Sequence, residues 1–469
     1  MAFATNKSLL RGLILAAQTG LIDFAGIGDS NQVKDGTGHD HGFQKAMASR
    51  FSMHATGVIS ISENNESGSN IGFGYRRGTL FGMAGASVPS GAPAAQYAFW
   101  NDADWTGTDA NRHTRHRYSY ITSDPGATEA GLTLEGTTVS PSIPGGTSAR
   151  WRFIWTHING AGFGSYKPTI RNGTTAAMSE YASAINCAGT PAVVFNQFDA
   201  PNGFCTAAQH MRLEVRRTTA ITPNICLGLQ RAVNRDVSAG WAYTTQGFMG
   251  GKHLGHQYTG LSNWSLETWT HWFDMLRRPQ LDAGVTTPRL VFIIQSGLND
   301  VNGTSDLSAN GSDMSSTKAG FRANMIGIVD MIRDTYEAIY GNFDGVSFLI
   351  SRSHKVADSA ADDQWAKELQ MVQYGAACTE LAQAYPEYIA AFDPSVLMTK
   401  AEFVAGDGGG SWFLSSGTDE DHMGPVATGK GYEVIWERVI EEILSSGRRS
   451  RNRQGSTRSS LRGRGRQAA

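Results

Sequence analysis

The sequence predicts an α/β chain, a parallel sheet interrupted by a long β-rich insertion folded as a β-sandwich or jelly roll. Three observations carry that reading. An apolar run at residues 21–27 stops abruptly at Gly28-Asp29-Ser30, as a buried strand does on reaching the rim of a sheet. After about residue 240, apolar runs alternate with helical periodicities, the signature of parallel strands joined by crossover helices. Between residues 66 and 239 Gly, Ser and Thr dominate, and short period-two runs are separated by turn clusters, which suggests two antiparallel layers. The 469 residues are enough for two domains. The expected organisation is a discontinuous α/β domain from 1–65 and 240–446, an insert at 66–239, and a disordered Arg-rich tail at 447–469.

In chain order, residues 5–18 read as a helix capped by Thr5 or Asn6, and residues 21–27 as the first strand. Residues 42–53 form a helix by periodicity, with Phe43, Met47 and Phe51 at spacings of four. Within the insert, strands are expected at 96–100, 115–121, 149–155, 193–198 and 210–216. Arg150 to Trp155 alternates arginine with aromatic or apolar residues, as a half-buried strand would. Turns fall at Pro144-Gly145-Gly146 and Asn172-Gly173-Thr174. From about 240 the signals turn helical. Residues 265–276, 317–340, 361–384 and 429–444 read as helices, and 289–295, 346–351 and 388–392 as strands.

Composition narrows the partners. Forty per cent hydrophobic residues suffice for a core, and the eight arginines between Arg448 and Ala469 set apart a body of net charge −10 from a whole at −2. An acidic body argues against nucleic-acid binding. Cys187, Cys205, Cys226 and Cys378 have no zinc-ligand spacing; a Cys187–Cys205 bridge and buried free thiols are equally compatible with it. Lys7 and Arg11 precede only a five-residue apolar run, Leu13 to Ala17, too short for a secretory leader or a membrane span. Oligomeric state is not legible.

The chemistry sits at three places. Ser30 would stand just past a sheet rim with its hydroxyl free, and a serine needs a base to become a nucleophile. Thr418-Asp419-Glu420-Asp421-His422 supplies a histidine, the usual base at neutral pH. Asp419 or Asp421 could orient it, and the carboxylate three residues ahead has the better reach within a tight turn. Gln295-Ser296-Gly297-Leu298-Asn299-Asp300 ends another apolar strand, where an Asn amide can donate to an oxyanion and Gly297 lets the backbone approach closely.

Taken in order, Gly28-Asp29-Ser30, Gly297-Leu298-Asn299-Asp300 and Asp419-x-x-His422 resemble the blocks of the SGNH/GDSL hydrolase family across roughly residues 20–55 and 255–445. That resemblance implies a three-layer α/β/α sandwich on a short parallel sheet. It also implies hydrolysis of small acyl esters, often O-acetyl groups on carbohydrate, without cofactor or metal, outside the cell or at its envelope. Carried over, Ser30 is the nucleophile, His422 the base and Asp419 its orienting acid. The Ser30 amide and the Asn299 side chain are oxyanion donors, Asp300 is a structural partner near the site, and Asp29 and Gly297 support it. The family's remaining glycine block fits best at Gly260-Leu261-Ser262-Asn263, where Asn263 replaces the second glycine and either Asn263 or Gly260 would supply the third donor.

Competing readings were weighed for each feature. The G-x-S-x-G elbow and H-E-x-x-H are absent from the sequence. His39-Asp40-His41 reads as a solvated loop rather than a metal pair. His113, Arg115, His116 and Arg117 read as a polar strand face before an anion site. Trp100, Trp105, Trp151 and Trp155 read as core before a sugar-stacking platform, although glycan contact by the insert stays open. The tail is a solvated appendage or a contact for anionic polymers or membrane. Two other functions compete with hydrolysis: a non-catalytic glycan-binding surface protein, and an O-acyltransferase using a sugar hydroxyl in place of water.

Overall fold

The architecture comes from a computed structural model. It describes residues 3–28, 39–55, 57–60, 70–72, 75–77, 119–121, 129–136, 150–161, 164–172, 179–180, 183–190, 192–201, 211–217, 225–247, 254–262, 264–302, 317–362, 364–406, 413–415, 419–423 and 431–445.

The fold is mixed α/β around one parallel-rich sheet. Its strands are β1 (Ala4–Thr5), β2 (Leu21–Gly28), β3 (Gly240–Gly247), β4 (Leu290–Ser296), β5 (Val346–Arg352) and β6 (Ile389–Phe392), laid side by side as β1-β6-β5-β4-β2-β3. β1 runs antiparallel to β6; every other pair in this sheet is parallel. The order of the parallel strands reverses between β2 and β4. Chain growth carries β3 to one side of β2, and β4, β5 and β6 to the other.

Helices cover both faces because the strands are apolar on both. Every residue of β2, β4, β5 and β6 is buried, which is why each reads as a largely apolar run rather than an alternation. Their side chains nevertheless divide by parity. Ile22, Phe24, Val291 and Ile293 enter one core, with α1 (Lys7–Thr19), α2 (His39–Ala48) and a C-terminal helix at 431–445 that we call α9. Ala25, Ile27, Phe292 and Ile294 enter the other, with α3 (Leu254–Ser262), α4 (Leu266–Asp282), α6 (Lys318–Tyr340) and α7 (Trp365–Ala384). Between α4 and α6 lies the short α5 (Leu298–Asn302), and α8 (Lys400–Ala405) precedes α9.

Local chemistry sets the helix ends. The Ser265 hydroxyl accepts from Thr268 N–H to start α4, and Thr317 accepts from Gly320 N–H to start α6. Gly341, at φ +81°, closes α6 in the left-handed conformation that glycine adopts without penalty. Asn6 stands at the start of α1 but does not cap it. Its side chain instead donates to the Ile389 carbonyl at 3.0 Å and ties the helix to β6.

The chain between β2 and β3 forms two antiparallel sheets. One runs Ser179–Glu180, Ser165–Asn172, Met211–Arg217, Glu129–Gly136, Tyr75–Arg77, Asn70–Gly72, with Ile185–Asn186 also on Ser165–Asn172. The other runs Ala192–Asp199, Trp151–Asn159, Ile225–Asn234, Ile59–Ser60, with Ser119–Ile121 also on Ile225–Asn234. They touch where Trp155 Nε1 donates to Tyr166 Oη at 2.8 Å. The segment after α2 stitches the second sheet to the parallel one, since Met53 bridges Trp241 and Ala55 bridges Val233. Deeper, the guanidinium of Arg231 is fully buried. It donates to the Met275 and Leu276 carbonyls of α4 at 2.9 and 3.0 Å and is ion-paired with Asp23 of β2.

Some expectations are corrected here. Residues 240–247 are an edge strand, not the start of a helical region. His39 opens α2 and is buried, so His39-Asp40-His41 is no solvated loop. The helix expected at 42–53 runs three residues earlier and ends at Ala48. Trp151 and Trp155 are buried in the core and offer no stacking platform. Cys187 is a buried free thiol, as is Cys378, so Cys187 is not bridged to Cys205. Trp100, Trp105, His113, Arg115, His116, Arg117 and the tail lie outside the described residues.

Candidate functional site

The rim at the carboxyl ends of the parallel strands is built first by β2 and β4. Gly28, the last residue of β2, pairs with Gln295 of β4. Asp29 and Ser30 follow it at once and lie outside the described residues. β4 ends one residue past that pair, at Ser296, and Gly297 then has φ +132°, a conformation open to glycine and strained for any other residue. A Cβ at Gly297 would meet Met371 Sδ at 3.2 Å and Tyr374 Cδ2 at 3.3 Å. Gly297 is therefore required by the close packing of α7 behind it as well as by the turn. α5 begins directly after, which sets the backbone of Asn299 at the rim; its side chain is outside the description.

Asp300 is a buried clamp. Its Oδ1 accepts from Leu254 N–H at 3.0 Å and its Oδ2 from Ser296 Oγ at 3.2 Å. A carboxylate on the first amide of α3 satisfies a donor the helix cannot and sits favourably at the positive end of its dipole. Gln257 of α3 also donates to Ser296 Oγ, at 3.3 Å. β4 and β5 are tied as well, by Ser353 N–H on the Ser296 carbonyl at 3.0 Å.

Asp419 and His422 fall in a strand, Asp419–Met423, paired with Phe413–Ser415. Their side chains are outside the description. The reach of an i−3 carboxylate depends on a tight turn, and the backbone here is extended, so Asp419 has no such advantage over Asp421. Gly260 lies in the second turn of α3 and is buried. An amide at that depth is committed to the helix ladder and cannot serve an oxyanion; Asn263 is outside the described residues.

Two groupings at the same rim escaped the sequence reading. His39 lies against Tyr432 of α9 with ring centroids 3.7 Å apart, and the Tyr432 hydroxyl is 3.2 Å from His354 Nδ1, just beyond β5. Neither ring nitrogen of His39 has a hydrogen-bond partner among the described residues. Burial, and then the neighbouring His354, hold its pKa well below the ordinary histidine value, so it is neutral at neutral pH. Extending the spacing of four back from Met47 and Phe43 gives His39, the signal that marks it as core-facing. The second grouping is Arg352, the last residue of β5, paired with Glu368 at 2.7 Å and Asp393 at 3.0 Å, all three buried.

α2 and α9 are locked together at their starts. Gly42 lies flush on the Tyr432 carbonyl, with no room for a Cβ, and Lys45 pairs with Glu433 at 2.5 Å. Among the described residues, no group of three or more His, Cys, Asp or Glu is placed to hold a metal ion. No described helix is long and apolar enough to cross a membrane.

No protein-family model matches the sequence, and no curated protein matches it. Solved structures with similarity include a family two carbohydrate esterase from Clostridium thermocellum in complex with cellohexaose. It is 9% identical, covering 75% of this chain and 98% of that one at a TM-score of 0.26. A carbohydrate esterase family 2 enzyme with a carbohydrate-binding domain from Corynascus thermopiles (Myceliophthora fergusii) is 13% identical, covering 70% and 99% at 0.26. An acetyl xylan esterase from the rumen bacterium Butyrivibrio proteoclasticus is 10% identical, covering 83% and 98% at 0.22. TM-scores between 0.22 and 0.26 identify no family for this chain.

Proposed function

We propose that the chain is a serine ester hydrolase acting on small acyl esters, with O-acetyl groups on carbohydrate as the substrate class. The observation that carries this reading is the reversal of strand order between β2 and β4. In open α/β sheets ligands bind outside the carboxyl ends of the strands at such a point. Here the two strands that flank it lead directly into Gly28-Asp29-Ser30 and Gly297-Leu298-Asn299. Neighbouring strands lie roughly 4.8 Å apart, so both segments leave the rim within reach of one substrate carbonyl. The approach of His422 is supported in the same way. The chain reaches α2 nine residues after Ser30 and α9 nine residues after His422, and those helices touch through His39, Gly42 and Tyr432.

In this mechanism His422 takes the proton of Ser30 Oγ as the oxygen attacks the ester carbonyl, and Asp419 or a neighbouring carboxylate orients the imidazole. The Ser30 amide and the Asn299 side chain hold the oxyanion. For the third donor Asn263 stays a candidate beside Gly250 or Gly251, which stand in sequence between Gly247 at the end of β3 and Leu254 at the start of α3. Protonated His422 then returns its proton to the leaving alkoxide, giving the alcohol and an acyl-serine. Water, deprotonated by His422, releases the acid and restores Ser30. Residues 66–239 act as an insert beside the site, and a three-layer α/β/α body around an inserted β-sandwich is the organisation this reading uses.

Turnover of an aryl acetate should fall by about 10⁴-fold or more in Ser30→Ala, as for loss of a triad nucleophile. In Asn299→Ala it should fall about 10²–10³-fold. Acetate release from a panel of acetylated polysaccharides, wild type against Ser30→Ala, reads the alcohol class. Undiminished turnover in the serine variant rules the mechanism out, and no labelling of Ser30 by a fluorophosphonate favours a glycan-binding scaffold instead.

A further inference from the structure

A cavity of about 340 Å³ opens beyond the carboxyl ends of β5 and β6, on the rim that carries the proposed ester site. Two to three strand spacings separate the two places, roughly 10–14 Å. The volume is at the lower end of small-molecule sites. Five charged residues line it, and each already has an opposite charge on the protein. Arg352 holds Glu368 and Asp393, Lys355 holds Asp358 at 3.2 Å, and Glu402 accepts from Arg438 at 3.0 Å. An anion entering here meets the carboxylates of Glu368, Asp393 and Glu402; a cation meets Arg352 and Lys355. Neither finds an unopposed partner.

What the walls do offer is neutral hydrogen bonding. Among the described residues, the bonds to Asp393 fall on Oδ1, from Arg352 Nε at 3.0 Å, Ser395 N–H at 3.0 Å and Ser395 Oγ at 2.5 Å, which leaves Oδ2 to accept. Lys355 has three N–H donors and one carboxylate partner. The buried Arg352 keeps Nη1 without a partner among the described residues. Val372 and the half-exposed Val396 add an apolar wall.

From this combination we infer that the cavity is a subsite for one neutral, polyhydroxylated ring, a sugar residue whose hydroxyls bond Asp393 and Lys355 while a C–H face lies on Val396. The inference deepens the glycan part of the proposed function and rests on that reading only in taking the bound sugar to belong to the substrate. Binding itself needs no turnover.

The test is calorimetric titration of the full chain with neutral tetrasaccharides (xylotetraose, cellotetraose, mannotetraose) and with two charged ones, tetragalacturonate and a chitosan tetramer. At least one neutral ligand should bind, more tightly than either charged one. Val396→Trp, which fills the mouth from an exposed position, should weaken it about tenfold or more with an unchanged unfolding midpoint. Lys355→Ala should weaken it severalfold. Three results overturn the subsite: no binding of any neutral tetrasaccharide, wild-type affinity in Val396→Trp, or preference for a charged ligand. Each is independent of aryl acetate hydrolysis, so loss of the subsite and loss of the ester mechanism are separable.

Discussion

Replacing Asp23 with alanine should be among the most damaging single changes in the molecule, although the residue lies at the end of β2 away from Ser30. Arg231 is completely enclosed, and its partners include Asp23 and the carbonyls of Met275 and Leu276. Removing the carboxylate takes the Asp23 counter-charge from a buried guanidinium, which costs about 3–5 kcal/mol. Gln280, which donates to Asp23 Oδ2 at 3.0 Å, loses an acceptor too. Arg231→Met should cost a similar amount, because it leaves the carboxylate buried beside only Gln280 and His54, the latter at 3.4 Å. The double variant Asp23→Leu/Arg231→Met should lose less than the sum by about 2 kcal/mol or more, since a buried pair removed together leaves no uncompensated charge. Urea unfolding followed by tryptophan fluorescence reads all three. The pair also predicts an acid branch. Burial pushes the Asp23 pKa up, but Arg231 and His54 more than offset that and hold it below the ordinary carboxylate value. A depressed carboxylate contributes stability that is fully present above the unfolded value, about 3.9, and is lost as pH falls through the folded value. Wild type should lose this contribution below about pH 4, and Asp23→Ala should not. A cost under about 1 kcal/mol for Asp23→Ala would refute the claim that a desolvated ion pair ties the antiparallel sheet to β2.

Two further changes probe the rim. Gly297→Ala puts a Cβ at φ +132° and within 3.2–3.3 Å of Met371 and Tyr374. It should cost about 1–3 kcal/mol in urea unfolding, and aryl acetate turnover should fall even well below the unfolding midpoint because the backbone of Asn299 moves with it. Asp300→Ala leaves Leu254 N–H and Ser296 Oγ without their carboxylate and should cost about 2–4 kcal/mol, with partial recovery in Asp300→Asn. Equal stability of Asp300→Ala and wild type would show that α3 is not held from this carboxylate.

The strands of the parallel sheet were legible because strands buried on both faces are apolar at most of their positions. β4 and β5 fall within a residue or two of the expected runs at each end, and α6 was bounded by Thr317 and Gly341, residues whose capping chemistry is local. β3 was missed for the opposite reason. It is an edge strand, Gly-Trp-Ala-Tyr-Thr-Thr-Gln-Gly, with Trp241 and Tyr243 in one core and the small Ala242 in the other, so its run is short of large apolar residues. The glycine block depends on that strand: a sequence reading without a strand at 240–247 puts it at Gly260, which lies inside a helix. Asp23 and Arg231 were invisible to patterning, because each is a charge whose burial depends on a partner about 200 residues away. His39 was readable in principle, and was read as loop because the helix was started three residues too late.

The distance between Ser30 and His422 in sequence, almost the whole length of the body, is a consequence of how this sheet closes. A first parallel strand placed inside the sheet must have its neighbours supplied from both directions, and here β3 arrives only after the antiparallel sheets have been made. Their return point is not free. Met53 must bridge Trp241 and Ala55 must bridge Val233, so the strand ending at Asn234 is delivered beside β2 and its continuation becomes β3 in register with it. The antiparallel sheets are thereby fixed to the edge of the parallel sheet, while α9 returns at the end of the chain to lie on α2. Gly42 makes that return close, and the buried contact between His39 and Tyr432 makes it specific, since both side chains are enclosed only when the two helices meet. The same packing that completes this core holds the start of α2 against the start of α9.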